Sequence, residues 1–536
     1  MDARELVSRV KKQKTATRRG RYEDALHAID QALKLDPRDA AAWISKGIVL
    51  VDLGRNEEAL EALDEALKLQ PRDVVALTSK ATALINLGRN QEALQSVDSA
   101  LAIDPKDATA WSNKGVALAG LHRYQEALPA LEQAVNLNPK DALAWVTMGA
   151  ALIGLGQNAR ALEALDAALK LQPKDATAWS MKGIALANIH RYDEALRALE
   201  QALQINPKDL LAWTSKGTVL INLGRNREAL QALDRSLSLS AGDAAAWSRK
   251  GVALANLGRN EEALEAQEKA LSLDDSDAAA WTSKGAILSG LSRHEEALQA
   301  LDQALAIDRR HAMAWMNKGA VLINLGRNDE AVKALDMALS LDSSHASAWV
   351  NKGTALINLG RYEPAAQALA KAAELDPRNI TVWMNRAACL MNMNRMEESL
   401  EALDKALALD PRHGTAWRRR GIVLINLGKD EEALKALEAA LAIDPDDAGA
   451  WASKGTALAN LERYDEALEA LDRALQLDRK DQMTLVNKGT VLINLGRYEE
   501  ALVPLEEAIA IDPGNTLAWQ RKSSALINLG RTEAEP

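Results

Sequence analysis

A period of 34 residues runs through this chain, without insertion or deletion, from about residue 9 to residue 530. Tryptophan marks it at Trp43, Trp111, Trp145, Trp179, Trp213, Trp247, Trp281, Trp315, Trp349, Trp383, Trp417, Trp451 and Trp519, so all 13 tryptophans share one register position. Leu77 and Leu485 hold that position in two further units. A fixed period of this size specifies stacked helical units, each unable to bury its apolar face alone. It points toward binding over an extended surface and away from a single catalytic pocket.

Residues 40 to 73 show what one unit folds into. Asp39 stands where an N-cap belongs, and Gly54 sits where a positive φ ends a first helix running to about Leu53. Asn56 is placed to cap a second helix, with Glu57 and Glu58 at the favourable end of its dipole. That helix runs to about Leu69, and Pro71 stops it. Trp43, Gly47 and Leu50 share one face of the first helix. Ala59, Leu63 and Ala66 form the facing stripe of the second, at helical spacing. Gly47 and Ala59 let the backbones approach, and the tryptophans, Trp315 and Trp349 among them, are expected to fill the wedge between units. The fold class is all-α, a solenoid of antiparallel helix hairpins.

This series of Trp43, Gly47, Leu50, Ala59, Leu63, Ala66 and Pro71, recurring in roughly fifteen units, resembles the tetratricopeptide repeat family. The resemblance implies a right-handed superhelix whose concave groove is lined mainly by the first helix of each hairpin, and members mostly hold peptides or partner proteins. Two departures are systematic. Aliphatics such as Leu50 and Leu63 replace aromatics. A cation replaces the leucine before the glycine almost everywhere, from Lys46 through Lys318, Lys352, Arg386 and Arg420 to Lys522, with Met148 breaking the series.

The second helices carry an equally regular acid, including Asp30, Asp64, Asp302, Asp336, Asp404 and Glu506, with interruptions read at Gln267 and Ala370. The cations could bind an acidic ligand. Both series flank the packed stripes, and a lysine stem can cover apolar surface while its head reaches a carboxylate. The register therefore favours an internal salt-bridge ladder, typified by Lys318 and Lys352 with Asp302 and Asp336.

In the family, groove positions lie two before the tryptophan and one, two, five, eight and nine after it. Asparagine recurs two after it at Asn317, Asn351 and Asn385, with further examples at Asn113 and Asn487. This run resembles the asparagine ladder of the O-linked N-acetylglucosamine transferase repeat domain, where amides hold an extended peptide backbone. An amide donates and accepts at once, which suits a peptide of any sequence. Met313, Met316, Met384 and Met391 map to groove positions beside the run, where flexible thioethers could accept varied side chains. Arg418 and Arg419 form a second candidate patch, for a phosphopeptide, an acidic tail or RNA. The cation series falls one residue after the asparagine position, unlike the carboxylate clamp of chaperone-binding repeats. Inter-unit proline is missing at Ala241, Asp275, Arg309, Ser343 and Arg479, which could soften those junctions. Pro129 and Pro504 are expected to bend their helices on the outer surface.

Catalytic constellations are not evident. There is no HExxH or CxxC, so no metal or other cofactor is expected. The repeated INLGRN segment lacks the glycines and terminal Lys-Ser/Thr of a phosphate loop. Cys389 sits at a small-residue position and reads as core filler. A net charge of -10, from 65 bases and 75 acids, disfavours a general nucleic-acid binder. No run is apolar enough to span a membrane, and the absence of a signal-like start favours a cytoplasmic location. The domain expectation is a degenerate capping helix over 1–20, a continuous repeat array over 21–530 and a tail over 531–536. The functional expectation is a non-enzymatic scaffold that holds a protein or peptide in its groove. Alternatives are end-to-end self-assembly through terminal repeats near Trp519 and Leu526, and substrate recruitment for an enzyme complex.

Overall fold

The computed structural model describes residues 20–531. The expected capping helix over 1–20 and the tail over 531–536 therefore lie almost wholly outside the described residues. All 30 elements among the described residues are helices. They fall into two compact units, Met1–Asp275 and Ser276–Pro536. In the first, a helix over 20–35 precedes seven hairpins, from Ala40–Asp52 with Asn56–Leu69 to Ala244–Asn256 with Asn260–Leu273. The second has seven hairpins, from Ala278–Gly290 with His294–Ile307 to Gln482–Asn494 with Tyr498–Ile511, and then the single helix Thr516–Asn528.

The helix ends follow local chemistry. Asp39 Oδ1 accepts from the Ala42 amide at 3.0 Å, and the aspartates one period apart do the same through most of the chain. Gly54 ends the first helix at φ +76, a conformation cheap only without a Cβ. His122 and His190 take that left-handed position at φ 58 and 61, and each bonds the tyrosine hydroxyl two residues on. The second helix is capped differently from the expectation. Its N-cap is Arg55, which makes no side-chain cap bond. Arg55 instead forks onto Glu58, and this hydrogen-bonded pair holds the Glu58 carboxyl below its ordinary pKa.

Asn56 is left to act between units. Its Oδ1 accepts from Asn86 of the next repeat at 3.2 Å, and the same bond recurs between Asn188 and Asn158, Asn256 and Asn226, and Asn358 and Asn328. The two asparagines of the INLGRN segment thus stitch successive loops together.

Most core layers join a glycine of the first helix to a leucine of the second. A Cβ on Gly47 would stand 2.4 Å from Leu63 Cγ, and Leu63 is fully buried. Gln267 occupies this leucine position, and Glu268 keeps the acid register there, which corrects the reading of Gln267 as a break in the acid series. Gln267 is 0% exposed. Its Nε2 donates to the Ser248 carbonyl at 2.8 Å, while Oε1 has no partner among the described residues. An unsatisfied buried acceptor costs about 1–3 kcal/mol. Gln267→Leu should therefore stabilise the Asn260–Leu273 helix by about 1–2 kcal/mol. Slower amide exchange in that helix would show it, and faster exchange would contradict it.

Pro129 and Pro504 both lie inside 14-residue helices that continue past them. Pro129 is on the outer surface as expected, but Pro504 is buried.

Candidate functional site

Within each unit, the backbones of first helices in successive hairpins approach closely at all but one junction, whereas those of second helices stand farther apart and meet only through long side chains such as Arg160 and Glu132. Each unit therefore has an inner side formed by first helices and an outer side formed by second helices.

A repeated triad of tryptophan, cation and acid lies where first and second helices meet. The Trp43 Nε1 donates to the carbonyl of Pro37, six residues earlier, at 3.0 Å. The same bond ties Trp315 to Arg309 and Trp349 to Ser343, both at 3.0 Å. The turn is held by a backbone carbonyl, so the indole tie survives where proline is missing. Most of these rings are only partly buried, with Trp383 an exception. The expected filled wedge is thus a ring with one side open to a cation. Lys318 Nζ lies 5.4 Å from the Trp315 ring centre and 2.5 Å from Asp302, and Lys352 lies 5.3 Å from the Trp349 ring centre and 2.6 Å from Asp336. Lys46, Lys114, Lys182, Lys250, Arg420 and Lys454 repeat both contacts. Each acid belongs to the preceding hairpin, so the triad joins neighbouring repeats.

The inner side carries the candidate groove residues, and the structure divides them. Asn385 donates to Thr354 Oγ1 at 3.1 Å, Asn487 to Thr456 Oγ1 at 3.1 Å, and Asn113 to Thr82 Oγ1 at 2.9 Å. Each threonine lies 31 residues earlier. At that offset Asn317 and Asn351 meet Ala286 and Ala320, which offer no side-chain acceptor. These two amides are half-buried on the successive helices Ala312–Asn324 and Ala346–Asn358, with no hydrogen bond among the described residues.

The methionines do not form the open apolar strip that their register suggested. Met313 is 39% exposed, but Met384 is 8% exposed and belongs to a core cluster. Met391 packs against that same cluster, and Met316 packs against Leu335, Leu339 and Ala348. Their long side chains turn into gaps between helices, where burial outweighs the open groove.

Arg418 donates to Asp447 of the next repeat at 2.9 Å, and Arg420 is engaged with Asp404 at 2.8 Å. Arg419 reaches back to the Met384 carbonyl at 3.2 Å and makes no ion pair among the described residues. Burial, reinforced by the adjacent Arg418, lowers its pKa below the ordinary value. The inner helices Ile380–Asn392 and Gly414–Asn426 are spread more widely than other successive inner pairs of this unit, and Arg419 spans the gap.

Sequence reasoning found the cations but not their position over the indole rings, although a constant offset of three residues on one helix carried that signal. It also missed the threonines that separate occupied asparagines from free ones. Cys389 is fully buried, with Sγ 3.2 Å from the Tyr362 carbonyl, and desolvation raises its pKa. Among the described residues no group of three or more His, Cys, Asp or Glu could hold a metal ion, and no helix is long and apolar enough to cross a membrane.

Fold and surface together define a helical-hairpin repeat protein built for interaction along its helices. Two tetratricopeptide repeat models match it, one over residues 14–74, 146–209, 214–279, 284–346, 321–380 and 452–516, the other over 79–149 and 386–454. The chain belongs to the tetratricopeptide repeat family. No curated protein matches it. Among solved structures, the APC/C hetero-tetramer Cut9-Hcn1 is similar at 17% identity and a TM-score of 0.50, over 86% of this chain and 98% of that chain. The MamA protein matches at 23% identity and a TM-score of 0.30, over 32% of this chain and 92% of that one. YrrB, titled a TPR protein with an unusual peptide-binding site, matches at 30% identity and a TM-score of 0.28, over 34% and 95%.

Proposed function

We propose that this chain is a non-enzymatic protein-binding scaffold that holds an extended partner segment along the inner helices of its second unit. Asn317 and Asn351 carry this reading, because they are free amides one period apart on neighbouring inner helices. Each can donate to and accept from a peptide backbone, which gives binding with little dependence on sequence. Met313 supplies exposed apolar surface beside them. Arg419 offers unused guanidinium donors two periods beyond Asn351.

The test uses a peptide selected from a random library against the whole chain. Asn317→Ala and Asn351→Ala should each weaken its binding by about tenfold, the equivalent of one lost hydrogen-bonding amide. Asn113→Ala should leave it unchanged, because that amide is already committed to Thr82. Binding that ignores both inner substitutions and fails on changes to second helices would overturn the groove assignment.

The second reading, end-to-end self-assembly, rests on the last described helix. Trp519 is 41% exposed and Ile527 70% exposed, while Leu526 is buried. On this reading Ile527, not Leu526, is the residue whose polar replacement should block concentration-dependent growth in light scattering.

A further inference from the structure

The two units with leucine in place of tryptophan lack an indole while keeping the groups that elsewhere receive one. We propose that the outer recess at Leu485 is a second binding site, distinct from the inner groove, which takes the indole of a tryptophan side chain on a partner segment.

The other repeats define what this position binds. Twelve tryptophan nitrogens donate to the carbonyl six residues earlier, at 2.9 to 3.1 Å. Twelve cations three residues later lie 5.1 to 5.8 Å from a ring centre. At Leu485 the corresponding carbonyl is that of Arg479, which accepts no hydrogen bond among the described residues. The corresponding cation is Lys488. Asp472 holds it at 2.6 Å, as in the tryptophan-bearing repeats, so it is already positioned over the missing ring. The electrostatics are complementary to an indole: a carbonyl oxygen for its N–H and an ammonium for its π face.

The space is present as well. A cavity of about 510 Å³ opens between the second helices Tyr464–Leu477 and Tyr498–Ile511, lined by Leu475, Leu485, Lys488, Arg479, Val503 and Pro504 among others. The equivalent recess beside Trp43 is walled by Glu58, Glu61, Glu65 and Lys68, and that beside Trp213 by Glu228, Gln231 and Arg235. At Leu485 the position of Glu61 and Gln231 is Val503, 59% exposed, and the next residue is Pro504. Departures from the repeat at 479, 485, 503 and 504 thus converge on one recess. Leu77 is the internal control. It too lacks the indole, and Lys80 is held by Asp64 at 2.6 Å, but the matching wall is Gln95 and Ser96.

The probe is 5-fluoroindole, titrated into the full chain and followed by its own fluorine resonance. Saturable binding with a dissociation constant on the order of 1 mM is expected for so small a ligand. Leu485→Trp, which restores the residue used in the other repeats, should abolish the shift while leaving helix content and thermal midpoint intact. Leu77→Trp should keep it, and Lys488→Met should weaken it several-fold. A resonance that does not saturate, or that responds equally to Leu485→Trp and Leu77→Trp, overturns the site. Sedimentation identifies the occupant. Self-association abolished by both Leu485→Trp and Trp519→Ala would make a second copy the occupant and overturn the partner-segment assignment. A chain that stays monomeric while binding the probe supports it.

Discussion

Leu335→Ala is expected to cost about 3 kcal/mol of local stability and Gly319→Ala about 1–2 kcal/mol, whereas Gly319→Ala combined with Leu335→Val should fall within about 1 kcal/mol of the parent. Leu335 is fully buried, and its Cγ would stand 2.5 Å from a Cβ on Gly319. Truncation leaves a cavity in a layer whose helices are held apart by their neighbours. Adding the methyl crowds the same space, partly offset by alanine's higher helix propensity. The double variant reproduces a pairing the chain already uses, since Ala81 and Val97 occupy the same two register positions, both fully buried. At Ala387 the leucine, Leu403, is retained, so the crowded pair is tolerated once and a cost rather than loss of fold is expected. Amide exchange in Asn328–Leu341 reads the local effect, because a repeat array does not unfold as one cooperative block. Additive losses in the double variant would show that glycine and leucine do not compete for one space.

Lys318→Glu is expected to weaken the junction between its hairpin and the preceding one by about 1–2 kcal/mol. The variant loses the ion pair with Asp302 and the cation over Trp315, and it sets like charges together. Adding Asp302→Lys should recover the ion pair but not the ring contact, so about half of the loss should return. High salt should narrow the difference, since both interactions are partly exposed. Unchanged exchange in both helices, with lost capture of the selected peptide, would reassign the cations to ligand binding.

The fold was legible because one pattern repeats at every level. The 3.6-residue spacing of Trp43, Gly47 and Leu50, the capping Asp39 and the loop Gly54 each specify the same hairpin, and the period excludes other arrangements. The groove was less legible, because a register position tells which way a residue faces and not what it meets. Asn351 and Asn385 are indistinguishable by position. What separates them is Ala320 or Thr354 on the preceding helix, a relation between repeats. Met384 fails for a similar reason: its backbone faces inward, but its flexible side chain finds more contact in the core. Asn56 lies one residue past the true N-cap, and that single step turned an assumed cap into a bond between loops.

The side-chain bonds described above have short and constant reach: six residues for the indole tie, 16 for the cation and acid, 30 for the loop asparagines and at most 35 on the inner side. None needs a residue beyond the adjoining repeat. A gene segment encoding one period could therefore be copied or lost in frame, and both new junctions would be supplied by residues already present. The chain can grow or shrink as a ruler does, by whole graduations, and a partner that requires a longer or shorter surface can be met without inventing an interface.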